Sequence, residues 1–227
     1  MVDFDPQGNL SCYCGIPPEQ DLEQTITELL MKVAYEKPLS HRECVYQSRR
    51  TDDSAPQVDF IPSNLRLASF ELAMGTMMCR EVLLKTCLEQ YSSQYDYCII
   101  DNPPDIGLNV VNALAITDEV IVPVKVDEDA LEGLDIVTEQ IEDAKAFNPA
   151  LKLAGVLITS YQNTDGEAAG VEWLEQKTDF NILGIIRYSK KVAENTFMRK
   201  PIYEYSPCCG AAQGYKKFVT AYTGKER

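Results

Sequence analysis

Two aspartates stand one residue apart near the start of the chain, Asp3 and Asp5 in MVDFDPQGNLS, after an apolar opening and ahead of a Pro-Gln-Gly-Asn turn. Acids at the carboxyl end of a buried parallel strand, with a Gly-containing turn behind them, have the layout of a phosphate site. A third acid, Asp101, ends the apolar run of YDYCIIDNPPDIG, where Asn102-Pro103-Pro104 stops the strand before Gly107 opens a helix. An acid so placed can reach Mg²⁺ directly or through a bound water, because a hard divalent cation takes oxygen ligands. A strand-end aspartate serves equally well as a helix cap or turn residue, so Asp101 by itself does not choose between these roles.

Other chemistry finds less support. The cysteines, Cys12, Cys14, Cys44, Cys79, Cys87, Cys98, Cys208 and Cys209, include no C-x-x-C pair, and the one histidine, His41, lies in a polar stretch. Zinc needs paired spacings or histidine partners, so reduced, partly buried thiols are expected. The Gly-containing stretches TDGEAAG and CCGAAQG lack a Gly-Lys-Ser/Thr ending and read as a loop and a helix start. A formal charge of -14 argues against overall attraction to nucleic acid or anionic membrane, so any such contact needs a local basic patch. One occurs late: Arg187, Lys190 and Lys191, then Arg199 and Lys200, then Lys216 and Lys217. On charge alone it reads equally as a solvated face. No apolar run approaches the ~18 residues of a membrane-spanning helix and the N-terminus has no signal-peptide pattern, so a cytoplasmic protein without a membrane role is expected.

The elements that must position these residues alternate in type. Strands are expected at Val2–Phe4, Val58–Ile61, Tyr97–Asp101, Glu119–Val122, Ala154–Thr159 and Ile182–Ile186, several of them continuous apolar runs suited to a sheet interior. Helical spacing runs through Leu22–Tyr35, Leu65–Tyr91, Gly107–Ala115, Leu131–Phe147, Ala168–Gln176 and Gly210–Tyr222. The alternation predicts an α/β fold, a doubly wound and mostly parallel sheet with helices on both faces, forming a single domain over 1–227. Residues 37–57, polar and Pro-containing, are expected to be a mobile loop.

The motifs also occur in a fixed order. VDFDPQGNLS, VDFIPSNLRLASFELAM, YDYCIIDNPPDIGLNVVNAL with EVIVPVKVDEDALEGL, GVLITSY, IRYSKKVAE and KPIYEYSP followed by GAAQGYKKF resemble, over essentially the whole chain, the ParA/Soj group of deviant-Walker ATPases. These are partition proteins related to MinD. The resemblance implies a P-loop NTPase-like fold, ATP and Mg²⁺ as cofactors, and action as an ATP-dependent homodimer on plasmid, chromosome or mobile-element DNA with a centromere-binding ParB-like partner, associated with the nucleoid.

The same resemblance implies residue roles. Asp5 matches the acid that orients the attacking water, Asp3 its neighbour near the Mg²⁺ shell, and Asp101 the Walker B acid. Pro103, Pro104 and Gly107 belong to the second switch, which senses the γ-phosphate; Asn102 departs from the usual Thr or Cys there. Tyr161, Gln162 and Arg187 fall where the family places the edge that holds the base, and they read equally as an ordinary loop and a surface arginine. Lys190, Lys191, Arg199, Lys200, Lys216 and Lys217 fall in the region that contacts DNA nonspecifically, with Asn195 and Arg199 replacing the small residues expected before the Lys-Pro pair.

In the family the Asp-x-Asp-Pro-Gln strand follows another strand, a Gly-rich loop ending in Gly-Lys-Thr, and a helix, none of which occurs in these 227 residues. A truncated reading frame is therefore expected, and the chain as written is expected to be inactive alone. The missing strand would lie between Tyr97–Asp101 and Ala154–Thr159, so both are expected to carry an unpaired backbone edge. A non-hydrolysing ParA-like binding or regulatory protein is the alternative. Nitrogenase iron proteins place cluster-ligating cysteines elsewhere, and a MinD-like membrane role needs a basic amphipathic tail, where Tyr215, Phe218, Val219 and Tyr222 look instead like a docked face. Tyr203, Tyr205, Tyr215 and Tyr222 are too dispersed for the tyrosine-rich tail of a bacterial tyrosine kinase.

Overall fold

The computed structural model describes residues 1–16, 22–38, 42–48, 58–75, 77–105, 107–177 and 180–224. They fall into two compact units, Met1–Thr117 and Asp118–Arg227.

The first unit holds, in order, β1 (Val2–Asp3), α1 (Asn9–Tyr13), α2 (Ile26–Ala34), β2 (Tyr46–Gln47), β3 (Asp59–Phe60), α3 (Arg66–Ala73), α4 (Leu83–Glu89), β4 (Ile100–Asp101) and α5 (Leu108–Leu114). Strand β1 is its centre. It pairs in parallel with β4, Asp3 opposite Asp101, and on its other side the Asp3 N–H donates to Ile61 O at 3.0 Å while the Ile61 N–H donates to Met1 O at 3.0 Å. Alternation along β1 sends Val2 and Phe4 into the apolar core with Ile26, Leu29 and Leu30 of α2, Phe70 of α3 and Leu84 of α4. Each such side chain, fully buried, contributes roughly 1.5–3 kcal/mol. The α2 start is a capping box: the Thr25 N–H donates to Glu28 Oε2 at 2.9 Å and Thr25 Oγ1 accepts from Thr27 N–H at 3.3 Å.

Two expectations change here. The helical spacing over Leu65–Tyr91 is broken between α3 and α4, where Cys79 takes a left-handed φ of 58° and Arg80–Val82 make a 3₁₀ turn. The cause is Asn112 on α5, whose Nδ2 donates to Arg80 O at 2.8 Å and whose Oδ1 accepts from Leu84 N–H at 3.0 Å, so a side chain supplies the bonds a continuing helix would have made. Strand β3, expected in the parallel set, runs into Ile61, which bridges Val2 in parallel, and on its other side β3 also pairs antiparallel with β2. Strand β2 falls within the loop expected over 37–57, of which 39–41 and 49–57 lie outside the described residues.

The second unit holds β5 (Glu119–Val124), α6 (Glu128–Ala144), β6 (Lys152–Tyr161), α7 (Asp165–Lys177), β7 (Ile182–Arg187), α8 (Lys190–Met198), α9 (Ile202–Tyr205) and α10 (Gly210–Thr223). Its sheet is all parallel in the order β5-β6-β7. Helices cover both faces: Val156 and Ile158 of β6 pack with Leu134 of α6 and Leu174 of α7, while Leu157 packs with Ala211 and Phe218 of α10. Gly155 is required where β6 meets the turn before β7. Its φ is 147°, and a Cβ there would stand 2.0 Å from Asn181 O.

The pairing corrects one expectation. Strand β6 is bonded on both sides, so it carries no open edge. Among the described residues the open edges flanking the motifs are those of β4 in the first unit and β5 in the second. The approach to β4 is solvated, with Tyr97 57% and Ile99 62% exposed, so its unpaired groups meet water rather than a dry interior.

Candidate functional site

The site grows from the β1–β4 pair. Because Asp3 is opposite Asp101 in parallel register and Phe4 N–H donates to Asp101 O at 2.8 Å, the chain leaves both strands at the same end, carrying Asp5 and Asp101 with it. Asp5 Oδ1 accepts from Gln7 N–H at 2.9 Å and its carbonyl accepts from Gly8 N–H at 3.0 Å, which closes the turn. Gly8 has φ 65° and presses against Ser63 O, where a Cβ would come within 3.2 Å. The turn feeds α1.

Asp3 is wholly buried. Its Oδ2 accepts from Ser11 N–H at 2.7 Å and from Ser11 Oγ at 2.6 Å, and its Oδ1 accepts from Asp5 N–H at 3.3 Å. Ser11 Oγ in turn accepts from Ser63 N–H at 3.0 Å. The carboxylate expected near a metal shell is thus spent on protein donors, tying β1, α1 and the turn after β3 together. Burial raises its pKa despite the bonds from Ser11. Sequence reading missed Ser11 and Ser63; a serine eight residues after a strand aspartate carries no signal until the turn folds.

Asp101 is exposed at its strand end. Partial desolvation, then the charges of Asp3 and Asp5, raise its pKa. Beyond it Pro103 is buried and Pro104 exposed, and Asp105 Oδ1 accepts from Gly107 N–H at 3.0 Å where α5 begins. Asn102 Nδ2 turns back to Ile100 O at 3.3 Å. A cation would relieve the mutual repulsion of these acids, and the exposed oxygens of Asp101 suit Mg²⁺. Phosphates do not fit as well: no Gly-rich run ending in Gly-Lys-Ser/Thr occurs in the 227 residues to supply the N–H cradle and the lysine.

In the second unit β6 and β7 end together. Tyr161 is the register partner of Arg187, and Tyr188 N–H donates to Tyr161 O at 2.9 Å. Gln162 N–H donates to Glu167 Oε2 at 2.9 Å, within a tight turn where Ser160 and Asn163 have positive φ. The three residues expected at a base-holding edge are therefore gathered on one sheet end.

The basic residues divide between helices. Lys190 and Lys191 open α8, Arg199 closes it in a left-handed conformation, and Lys200 follows. Asn195, expected to alter the local loop, builds it: its Nδ2 donates to Lys200 O at 2.7 Å. Lys191 is engaged, its Nζ 2.6 Å from Glu194 Oε2, which also accepts from Tyr205 Oη at 2.8 Å. Lys216 and Lys217 lie on α10, lining a shallow groove with Gln213, Thr220 and Ala221.

Among the described residues no three His, Cys, Asp or Glu side chains form a metal-binding group, and no helix is long and apolar enough to cross a membrane.

Comparison with known proteins fits this geometry. A family model described as an AAA domain matches residues 1–153. The sporulation initiation inhibitor protein Soj of Bacillus subtilis is 31% identical over 95% of this chain and 82% of its own length, and the chromosome partitioning protein ParA of Caulobacter vibrioides is 30% identical over 100% and 83%. The uncharacterized protein Rv1708 of Mycobacterium tuberculosis is 30% identical over 95% of this chain, which spans 66% of that relative's length. Among solved structures, cobyrinic acid a,c-diamide synthase from Mycobacterium smegmatis, with a bound ATP analog and magnesium, superposes with a TM-score of 0.76 at 25% identity, covering 99% of this chain and 83% of that one. With the Asp-x-Asp-Pro-Gln-Gly-Asn and Asp-Asn-Pro-Pro turns at the ends of adjacent parallel strands, these matches show that the chain belongs to the ParA/Soj family of P-loop, AAA-type ATPase domains.

Proposed function

We propose that the chain serves ATP-dependent partition of plasmid, chromosome or mobile-element DNA, acting on the nucleoid as an ATP-dependent homodimer with a ParB-like centromere-binding partner. The observation that carries the reading is the convergence of Asp5 and Asp101 at one end of the β1–β4 pair. In this reading Asp101 faces Mg²⁺, Asp5 orients the attacking water, and Pro103, Pro104 and Gly107 form the turn that senses the γ-phosphate. Asp3 acts beneath them by holding the Asp5 turn. Tyr161, Gln162 and Arg187 receive the base. Phosphoryl transfer depends on positioning and charge stabilisation, so these groups achieve little without a phosphate cradle and its lysine. The 227-residue chain alone is therefore inactive as a hydrolase.

DNA contact falls to the α8 and α10 cations, which bind phosphates and set position without reading sequence. In a ParA-type protein carrying this chain with a phosphate loop, duplex binding should need ATP, weaken steeply with salt, and fall when Lys190 and Lys191 become Glu. Lys190 should account for most of the loss, since Lys191 is already paired with Glu194. Salt-insensitive binding, or an unaffected double variant, would overturn this assignment.

A further inference from the structure

The start of α10 carries a pair of thiols that the partition reading does not use. Cys208 and Cys209 are adjacent, the first exposed and the second half-buried, on the turn between α9 and α10. That turn is fixed: Cys209 N–H donates to Ser206 O at 3.1 Å, Gln213 Nε2 to Pro207 O at 2.7 Å and Gln213 N–H to Cys209 O at 3.0 Å. A helix N-cap is ordinarily Ser, Thr, Asp or Asn, whose side-chain oxygen accepts a first-turn N–H. Here Cys209 holds that position, with φ -69° and ψ 155°, and its Sγ accepts from Ala212 N–H at 3.4 Å. Lys191 of α8 belongs to the same surroundings. Its Nζ lies 5.8 Å from the centre of the Tyr205 ring, and its pKa is raised by Glu194 above all and then by the charges of Tyr205 and Cys209. A helix N–H and a cation around one partly exposed sulfur are the environment of a reactive cysteine.

The other thiols differ. Burial pushes Cys44 up to about 11 and Cys87 up to about 12, so both stay protonated near neutral pH. Cys79 and Cys98 are exposed but have no cysteine next to them in the chain. Two sulfurs are too few for a structural zinc, which takes four ligands, and among the described residues no third ligand joins them. Oxidation needs only the pair.

We propose that Cys208 and Cys209 form a reversible oxidation site, in which hydrogen peroxide oxidises Cys209, Cys208 closes a vicinal disulfide, and α10 loses its sulfur cap. The Cys209 sulfur attacks one peroxide oxygen; the O–O bond breaks, hydroxide leaves and takes up the Cys209 proton, and a sulfenic acid forms. The Cys208 sulfur then attacks that sulfur; the S–S bond forms, the S–O bond breaks, and the oxygen leaves with the Cys208 proton as water. Two thiols are oxidised by two electrons and one peroxide is reduced to two waters. Adjacent Cα atoms stand about 3.8 Å apart, below the roughly 4.4–6.8 Å of ordinary disulfides, so the bond is strained and easily reduced again. Closing it draws the Cys209 sulfur toward Cys208 and away from the Ala212 N–H.

The test treats the reduced 227-residue protein with a few equivalents of hydrogen peroxide, alkylates the remaining thiols and digests with trypsin. The peptide 200–216 holds Cys208 and Cys209 and no other cysteine. It should appear unalkylated and two hydrogens lighter, and dithiothreitol should restore it. In Cys208→Ser, dimedone should trap a sulfenic acid on Cys209; in Cys209→Ser, Cys208 should label at least about fivefold more slowly. Serine is itself a good cap, so Cys209→Ser should keep the slow amide exchange of Ala212, while oxidation of the parent should speed it about fivefold, the loss of a typical cap. A peptide left unchanged by peroxide, equal labelling of the two cysteines in the single variants, or Ala212 exchange indifferent to oxidation would overturn the proposal. None of these readouts involves nucleotide or DNA, so the partition reading stands or falls separately.

Discussion

A buried carboxylate is costly unless its oxygens are occupied, and Asp3 shows how the family motif meets that cost: Ser11 donates twice to Oδ2, Asp5 once to Oδ1, and Ser11 passes the link on to Ser63. Ser11→Ala leaves Asp3 without one strong donor and the Ser63 N–H without its acceptor. It should cost about 1–3 kcal/mol, seen as a lower urea midpoint, and the loss should not add to that of Asp3→Ala, since both variants break one network. A destabilisation under half a kcal/mol, or full additivity, would show that the network does not hold the Asp5 turn. Asp101 obeys a different balance. Its folded pKa is raised above the unfolded value, so its contribution to stability is full only below about pH 4, where the carboxyl is protonated in both states, and is lost as pH rises through the folded value. Asp101→Asn should therefore melt slightly above the parent at pH 7, the gain kept small by the exposure of the group, and coincide with it at about pH 3. A lower melting temperature at pH 7 would mean that the acids do not repel one another.

Among the elements, Gly155 is the position where a strand tolerates no side chain. With φ 147° and Asn181 O occupying the place of a Cβ, Gly155→Ala must push the Asn181 turn away and break the β6–β7 register behind it. A loss of about 3 kcal/mol or more is expected, with amide protection falling first along β7; protection unchanged along β7 would contradict it. Strand and helix placement was legible where apolar runs were long: β6 and β7 follow directly from AGVLIT and ILGII, and α10 from its periodic face. Three features were not. The α3–α4 break depends on Asn112, distant in sequence, and α1 is a short helix started by a turn rather than by a pattern of its own. The third, α8, is exposed along most of its length, so it shows no apolar stripe for periodicity to find.

At the scale of the whole molecule, the ordered motifs made the fold family legible, because each sits at a strand end where an α/β sheet presents its chemistry. Pairing was not legible: the expected open edge of β6 belongs instead to β5, since β6 and β7 meet through a register that only the folded turn at Asn181 sets. The site likewise divided. The convergence of Asp5 with Asp101 and of Tyr161 with Arg187 follows from strand order, whereas the burial of Asp3 follows from Ser11, which no motif singles out. The central claim is that this chain carries the switch acids of a ParA-type ATPase and lacks within its 227 residues the group that binds the phosphates. The most direct measurement is steady-state phosphate release from Mg·ATP by the 227-residue protein and by the same protein preceded by a ParA-type strand, Gly-Lys-Thr loop and helix. No turnover is expected from the first, and turnover abolished by Asp5→Ala or Asp101→Ala from the second. Steady turnover by the 227 residues alone, or turnover in the longer protein indifferent to Asp101, would contradict it.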